Sequence, residues 1–149
     1  MAEAWRIIKA RHAAAAFSGH GAAVFGGRWN SPGVKIVYAS ATKSLAALEN
    51  LVHVNPKVVF EYVCFRLEYD DSFVEKLRAL PADWTLEPPS PSTQKTGDDW
   101  VRSGRTAVLA VPSAIVQSEL NFLFNPAHPD FKKIRIGKPE VFTFDPRLF

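Results

Sequence analysis

The sequence predicts an α+β domain built on a mixed or antiparallel sheet. Segments rich in β-branched residues outnumber the convincing helices, and the two kinds do not alternate regularly as they do in a doubly wound parallel sheet. The chain has 149 residues, of which 47% are hydrophobic. This is enough apolar material for one continuous core, so a single domain over residues 1–149 is expected.

The first part of the chain is predicted to form a loop, a strand and a helix. Glycines cluster from Gly19 to Gly33, which predicts a turning loop beside a short strand. Residues 34–39 are rich in β-branched side chains and predict a strand. Ser40 or Thr42 then caps a helix that Asn55-Pro56 stops, because a residue before proline avoids the α region. The apolar positions at helical spacing are Leu45, Leu48 and Val52.

The middle of the chain is predicted to hold a long strand and a surface connection. Residues 58–69 have the strand pattern, and the proline-rich residues 81–91 predict an irregular connection. A short helix is expected to begin in the segment Gly97–Trp100.

The last part is predicted to be mainly strands. Residues 106–111 predict a buried strand that Pro112 closes, and residues 133–144 supply one or two more, broken at Gly137 and Pro139. Between them, the segment containing Asn121 and residues 125–128 has the composition of a turn.

Composition and charge narrow the classes of function. The formal charge of +3 is spread along the chain, which does not indicate nucleic-acid binding, although it suits a pocket for an anionic small molecule or a surface for an acidic partner. Most of the charged residues are explained as ordinary solvent-exposed side chains. The lone Cys64 lies in an apolar stretch and is expected to be buried. With no apolar segment long enough to cross a bilayer, we expect a soluble cytoplasmic protein.

Glu49 is the most informative position for chemistry. On the predicted helix it lies four residues from Leu45 and three from Val52, at the edge of the apolar stripe. A glutamate there either curls out to solvent or pairs with a cation, or else it lines a cleft as a partly desolvated carboxylate that stabilises positive charge.

Arg28 follows two glycines, in Gly26-Gly-Arg-Trp-Asn30. The glycines let the backbone approach a ligand, and a guanidinium can hold phosphate oxygens with two parallel hydrogen bonds. A tight turn with Trp29 as an aromatic plug explains the same residues equally well. Neither a Walker loop nor a dinucleotide fingerprint is present.

Ser113 follows a strand and a proline, where its hydroxyl either enters a pocket or caps a helix. A hydrolase nucleophile is poorly supported, because the Gly-x-Ser-x-Gly elbow is absent. The four histidines lack metal-ligand spacing, so no metal site is predicted.

Six fragments in order resemble the RES domain, the toxin half of a bacterial toxin–antitoxin pair, named for an Arg, a Glu and a Ser. They are GGRWNSPG at 26–33, IVYAS at 36–40, ALENLVH at 47–53, VPSA at 111–114, NFLFNPAHPD at 121–130 and FDPRL at 144–148. The resemblance implies a fold similar to ADP-ribosyltransferases, in which a split mixed sheet with flanking helices forms a cleft for NAD.

The resemblance also implies roles for five residues. Arg28 would bind the phosphates or ribose of NAD, Tyr38 would stack on or position its nicotinamide end, and Glu49 would be the catalytic carboxylate. Ser113 would complete the pocket by hydrogen bonding, and Asn121 would support it, unless it merely stabilises a turn.

The implied reaction is cleavage of the nicotinamide–ribose bond of NAD, which is the substrate. Loss of nicotinamide leaves an oxocarbenium-like centre that a carboxylate stabilises. Water, phosphate or a host protein would receive the ADP-ribosyl group. The expected partner is a cognate antitoxin with an Xre-like helix-turn-helix region. From a different class, the alternative is a non-catalytic toxin module that binds nucleic acid or a partner.

Overall fold

The computed structural model describes residues 1–57 and 60–149. Its strands are β1 (Ala2–Lys9), β2 (Val37–Ser40), β3 (Tyr62–Tyr69), β4 (Val74–Lys76), β5 (Val108–Pro112), β6 (Leu120–Phe124), β7 (Arg135–Ile136) and β8 (Glu140–Phe142). Its α-helices are α1 (His20–Phe25), α2 (Lys43–Leu51) and α3 (Pro91–Ser103).

The eight strands form one mixed sheet in the order β4-β5-β6-β2-β1-β3-β7, with β8 also pairing with β3. The β4–β5 pair is parallel, whereas the other described pairs are antiparallel. The predicted α+β class with a mixed sheet and flanking helices is therefore confirmed.

Most predicted strands are confirmed, with shifted ends. Strands occur within or next to residues 34–39, 106–111 and 133–144. The long strand predicted from residue 58 begins at Tyr62, and its first two predicted positions, 58 and 59, lie outside the described residues.

Two predictions about loops and helices were wrong in part. The glycine-rich stretch contains the helix α1, because only Gly19, Gly26 and Gly33 adopt positive φ there while the residues between Gly19 and Gly26 stay helical. The helix expected to begin at Gly97 begins at Pro91 instead. Ser90 caps α3 by accepting a hydrogen bond from the Thr93 backbone N–H, and proline is well suited to the first helical position.

The two faces of the sheet are covered differently. One face carries a single apolar cluster that includes Phe65, Leu67 and Phe124. The other face carries two separate clusters, one between α3 and β5–β6 around Trp100, and one between α2 and β1–β3 around Ile7. This division leaves part of the sheet between α2 and α3 available for polar side chains.

Strand register identifies those polar side chains. Ser40 is paired with Trp5 on one side and with Asn121 on the other, and paired residues of antiparallel strands point to the same face. Tyr38 lies two residues before Ser40 and therefore also projects there. We call Tyr38, Ser40 and Asn121 the polar strip; it lies between the two apolar clusters.

Two further side chains with polar or reactive groups, Arg6 and Cys64, lie in the interior of the sheet. Arg6 donates hydrogen bonds from Nε to the Ala16 carbonyl and from Nη1 to the Tyr38 carbonyl, and burial lowers its pKa to about 10. The arginine thus ties β1 to the backbone of the polar strip. Cys64 is buried as predicted, and burial raises the pKa of its thiol.

No α-helix in the described part of the chain has the length and hydrophobicity that a membrane crossing requires.

Candidate active site

Helix α2 brings Glu49 to the edge of the polar strip. Thr42 begins the helix by accepting a hydrogen bond from the Leu45 N–H. Glu49 is half-buried, and its Oε2 atom accepts hydrogen bonds from Asn121 Nδ2 at 2.5 Å and from Ser113 Oγ at 3.1 Å. Both contacts come from uncharged donors, so they orient the carboxylate without neutralising it.

The apolar stripe predicted for this helix was partly wrong. Leu45 is buried, but Leu48 is 38% and Val52 60% exposed. The helix instead packs against the sheet through Ala46, with Leu51 also contacting that cluster, because small side chains let α2 lie close to β1. Glu49 adjoins this packed side, which explains why it is not fully solvated.

Ser113 lies at the start of a turn, so its interpretation as a helix cap was wrong: in the described residues, no helix follows β5 before β6. Its Oγ accepts hydrogen bonds from the N–H groups of Ile115 and Val116, which stabilises the turn after β5. Since those N–H groups occupy its acceptor side, the hydroxyl hydrogen is directed to Glu49. The side chain is fully buried, so this orientation is fixed by packing as well.

Asn121 is a strand residue of β6, and its interpretation as a turn-stabilising amide was wrong. Its Oδ1 accepts a hydrogen bond from Ser40 Oγ at 2.7 Å, and its Nδ2 donates to Glu49. Ser40 therefore joins the candidate site, although it was not predicted as a site residue. Its signal was the alternation of polar side chains at 38 and 40 in a strand that is otherwise apolar.

Arg28 is held by the connection that precedes α3. Its Nη1 donates to the carbonyl oxygens of Trp84 at 2.9 Å and Leu86 at 2.8 Å, and its Nη2 donates to Glu87 Oε2 at 2.8 Å. The Arg28 side chain is 19% exposed. Trp29 does act as an aromatic plug, because it is buried and stacks on Trp84.

The turn that carries Arg28 is fixed on both sides. Asn30 Nδ2 donates to three carbonyl oxygens, and Asp98 of α3 accepts hydrogen bonds from the backbone and side chain of Ser31. Gly27 lies so close to Tyr38 that a Cβ atom there would be 2.7 Å from the hydroxyl oxygen. Glycine is therefore required at position 27 by packing.

Tyr38 links this turn to the polar strip. Its hydroxyl donates to Asn30 Oδ1 at 2.5 Å and accepts from the Trp29 N–H at 3.2 Å. Burial raises the pKa of the Tyr38 hydroxyl well above its ordinary value, so it stays protonated and remains a donor.

The structure thus forms two groups joined by β2. Ser113 and Asn121 hold Glu49 and Ser40 holds Asn121, while Tyr38 supports the turn of Arg28. Tyr38 and Ser40 are two residues apart on one strand face, or about 6.6 Å. In the described part of the chain, Arg28 and Glu49 share no hydrogen bond.

Replacing Tyr38 with Phe is expected to destabilise the protein by about 1–3 kcal/mol, because the buried Asn30 Oδ1 and the Trp29 N–H lose their partner. Chemical denaturation measures this loss. Tyr69→Phe is the matched control. The buried Tyr69 hydroxyl has no hydrogen-bond partner among the described residues, so its removal should leave stability unchanged or raised. Equal destabilisation by both substitutions would contradict this account of Tyr38.

The site combines a carboxylate, a guanidinium, hydroxyls and amides. Within residues 1–57 and 60–149, no three His, Cys, Asp or Glu side chains converge to form a metal-binding group. A carboxylate oriented by neutral donors can stabilise a developing positive charge, and a guanidinium can bind a phosphate. These are the elements needed to hold and cleave an anionic glycoside.

Comparison with known proteins establishes the class: the chain belongs to the RES domain family, which it matches over residues 3–145. It is 41% identical over 152 residues to the Prs ADP-ribosylating toxin of a Sphingobium species, covering 97% of this chain and 94% of that protein. It is 36% identical over 148 residues to Toxin Res of Yersinia enterocolitica, covering 97% of each.

The fold is also found in a solved structure, the MbcT–MbcA toxin–antitoxin complex of M. tuberculosis. The match has a TM-score of 0.74 at 17% sequence identity and covers 99% of this chain and 86% of that chain. The family predicted from the six sequence fragments is confirmed by the match to the RES domain and by the two relatives, and the solved structure shows the same fold.

Proposed function

We propose that this chain is the toxin of a bacterial toxin–antitoxin pair and cleaves the nicotinamide–ribose bond of NAD at the polar strip. The main observation in support of this proposal is that the two oxygens of the Glu49 carboxylate differ in their hydrogen bonding. Both of its hydrogen bonds go to Oε2, whereas Oε1 accepts none from the described residues. One oxygen is anchored and the other is left for a substrate.

Glu49 acts on the bond that breaks. As nicotinamide leaves, positive charge develops on the ribosyl centre, and a ribose hydroxyl bound to Oε1 becomes a stronger donor. The carboxylate therefore binds the transition state more tightly than the substrate. Ser113 and Asn121 hold Oε2, so that little reorganisation of the carboxylate is needed when the charge appears.

Arg28 binds the anionic part of NAD. A guanidinium has five N–H groups, and three of those on Arg28 are used by the residues 84–87. The two that remain, on Nε and Nη2, can hold a phosphate and place the ribose beside Glu49. Tyr38 supports the turn of Arg28 on the strand that also carries Ser40, and from there it would position the nicotinamide end.

The acceptor of the ADP-ribosyl group is water, phosphate or a host protein. The name of the Sphingobium relative, an ADP-ribosylating toxin, favours transfer to a protein. Incubation with NAD, with and without phosphate and cell extract, followed by mass spectrometry separates the three. Free ADP-ribose indicates water, ADP-ribose phosphate indicates phosphate, and a mass increase on a host protein indicates transfer.

A cognate antitoxin with an Xre-like helix-turn-helix region is the proposed partner, and the cytoplasm the proposed location. The structural neighbour is described as part of a toxin–antitoxin complex. Apolar side chains close in sequence to Arg28 and Glu49 are also exposed: Phe25, three residues before Arg28, is 85% exposed, and Leu48, next to Glu49, is 38% exposed. An antitoxin segment that packs on them would bury apolar surface.

A non-catalytic, nucleic-acid-binding toxin is the competing proposal. It requires binding that weakens steeply with salt, because each phosphate contact releases counterions. A flat salt response together with NAD consumption would rule it out.

Replacing Arg28 with Ala is expected to raise KM for NAD about tenfold to a hundredfold, because charge-assisted hydrogen bonds to a phosphate contribute about 1.5–3 kcal/mol. Steady-state NAD consumption measures this change. Arg102→Ala is the control, since that side chain is 66% exposed on α3 and its one ion pair with a described residue is a long contact of 3.9 Å with Asp99. A KM for Arg28→Ala that equals the wild-type value would contradict phosphate binding by Arg28.

A further inference from the structure

Glu87 is the single charged side chain that contacts Arg28 in the described part of the chain. The other two contacts are backbone carbonyls of Trp84 and Leu86, which use both hydrogens of Nη1. Glu87 Oε2 accepts from Nη2 at 2.8 Å. The residues 84–87 therefore do two different things to Arg28: the carbonyls orient it, and the carboxylate neutralises it.

The two partners of this ion pair differ in freedom. The Arg28 side chain is 19% exposed, whereas that of Glu87 is 69% exposed. The backbone around Glu87 is anchored on both sides, by the stacking of Trp84 on Trp29 and by Ser90, which caps α3. Arg28 is thus fixed, while the Glu87 carboxylate can rotate into water at small cost, since exposed ion pairs contribute little.

The remaining donors of Arg28 decide where an anion binds. Because Nη1 is fully used, two parallel hydrogen bonds to a phosphate require the edge formed by Nε and Nη2. Glu87 already contacts Nη2. A phosphate on that edge would therefore lie within a few ångströms of a like-charged carboxylate, and the repulsion favours release of Glu87 from Arg28.

We infer that Glu87 is an internal competitor for the phosphate of NAD: it occupies Arg28 in the free toxin and leaves when the substrate binds, a role that rests on the function proposed above. The carboxylate weakens substrate binding without touching the bond that breaks. It sets KM and leaves kcat to Glu49. The residue keeps Arg28 neutralised until an anion of higher charge arrives.

The test is Glu87→Gln, which keeps the size and polarity of the side chain but removes its charge. We expect KM for NAD to fall about two- to fivefold with kcat unchanged, the size appropriate to an exposed ion pair. Isothermal titration with ADP-ribose, which has no nicotinamide bond to cleave, should show tighter binding by the same factor.

Glu3→Gln is the matched control. Glu3 Oε2 accepts from Arg66 Nη2 at 2.6 Å and from Nε at 2.9 Å in another exposed pair on β1 and β3. Its removal changes the net charge by the same amount and should leave KM unchanged. A similar fall of KM in both variants would reflect net charge alone and overturn the inference.

Two other results would also overturn it. An unchanged KM in Glu87→Gln would show that the carboxylate does not compete, and a raised KM would show that it is needed to orient Arg28. If the wild-type protein neither consumes NAD nor binds ADP-ribose, the proposed function itself fails, and the inference fails with it. Wild-type activity combined with an unaltered variant leaves the function standing and removes only the role of Glu87.

Discussion

Glu49→Gln is expected to lower kcat for NAD cleavage by about 100- to 1,000-fold with little change in KM. The amide keeps the volume of the side chain and can still accept a hydrogen bond from Asn121 or Ser113, so the site stays assembled. It carries no negative charge to oppose the charge on the ribosyl centre. Loss of a preorganised electrostatic partner in an active site commonly has an effect of this size.

The measurement is single-turnover and steady-state NAD consumption, together with growth of cells that express each variant. Glu61→Gln is the control, because Glu61 is exposed just before β3. It should retain full activity and toxicity. Thermal unfolding should show that Glu49→Gln is folded. Undiminished NAD cleavage by a folded Glu49→Gln protein would refute the catalytic assignment of Glu49.

Gly97→Ala is expected to destabilise the protein by about 3 kcal/mol or more, although alanine inside a helix normally stabilises by about 0.5–1 kcal/mol. A Cβ atom at position 97 would lie 1.7 Å from the carbonyl oxygen of Trp29. A change of side-chain rotamer cannot relieve this clash, because the obstructing atom belongs to the backbone of Trp29. Helix α3 or the turn must move, and Arg28 moves with the turn.

Chemical denaturation and NAD kinetics together test this prediction. For a chain of this length, a loss of about 3 kcal/mol corresponds to a fall in Tm of roughly 10 °C. Gly21→Ala is the control, since Gly21 lies in α1 and a Cβ there would meet nothing within 4 Å. It should be neutral or slightly stabilising. If Gly97→Ala is as stable as Gly21→Ala, close packing of α3 on Trp29 is not needed.

Local sequence patterns were sufficient to predict the strands and helices whose conformation depends mainly on their own residues. The β-branched stretches near 34–39 and 106–111 form strands, and Thr42 caps the helix that carries Glu49. Such signals are local, because strand preference and capping depend on neighbouring side chains and backbone groups. The identity of the family was also available from the order of the six fragments.

Packing decided the elements that the local patterns misplaced. Gly97 inside α3 looked like a helix start, but it is an interior position that a neighbouring backbone requires to be glycine. The stripe of Leu48 and Val52 looked like a core face, yet small residues such as Ala46 allow the closer approach to β1. Neither partner surface is adjacent in the sequence, so no local rule could indicate it.

By itself, then, the sequence determined the fold class and the family, and it predicted five site residues: one arginine, one tyrosine, one glutamate, one serine and one asparagine. Only the tertiary structure decided how they are arranged. Strand register brings Ser40 beside Asn121, the turn after β5 directs Ser113 to one oxygen of Glu49, and the connection before α3 places Glu87 on Arg28. These contacts join residues 59 to 81 positions apart, and their geometry follows from sheet pairing and helix packing, which single-residue patterns do not encode.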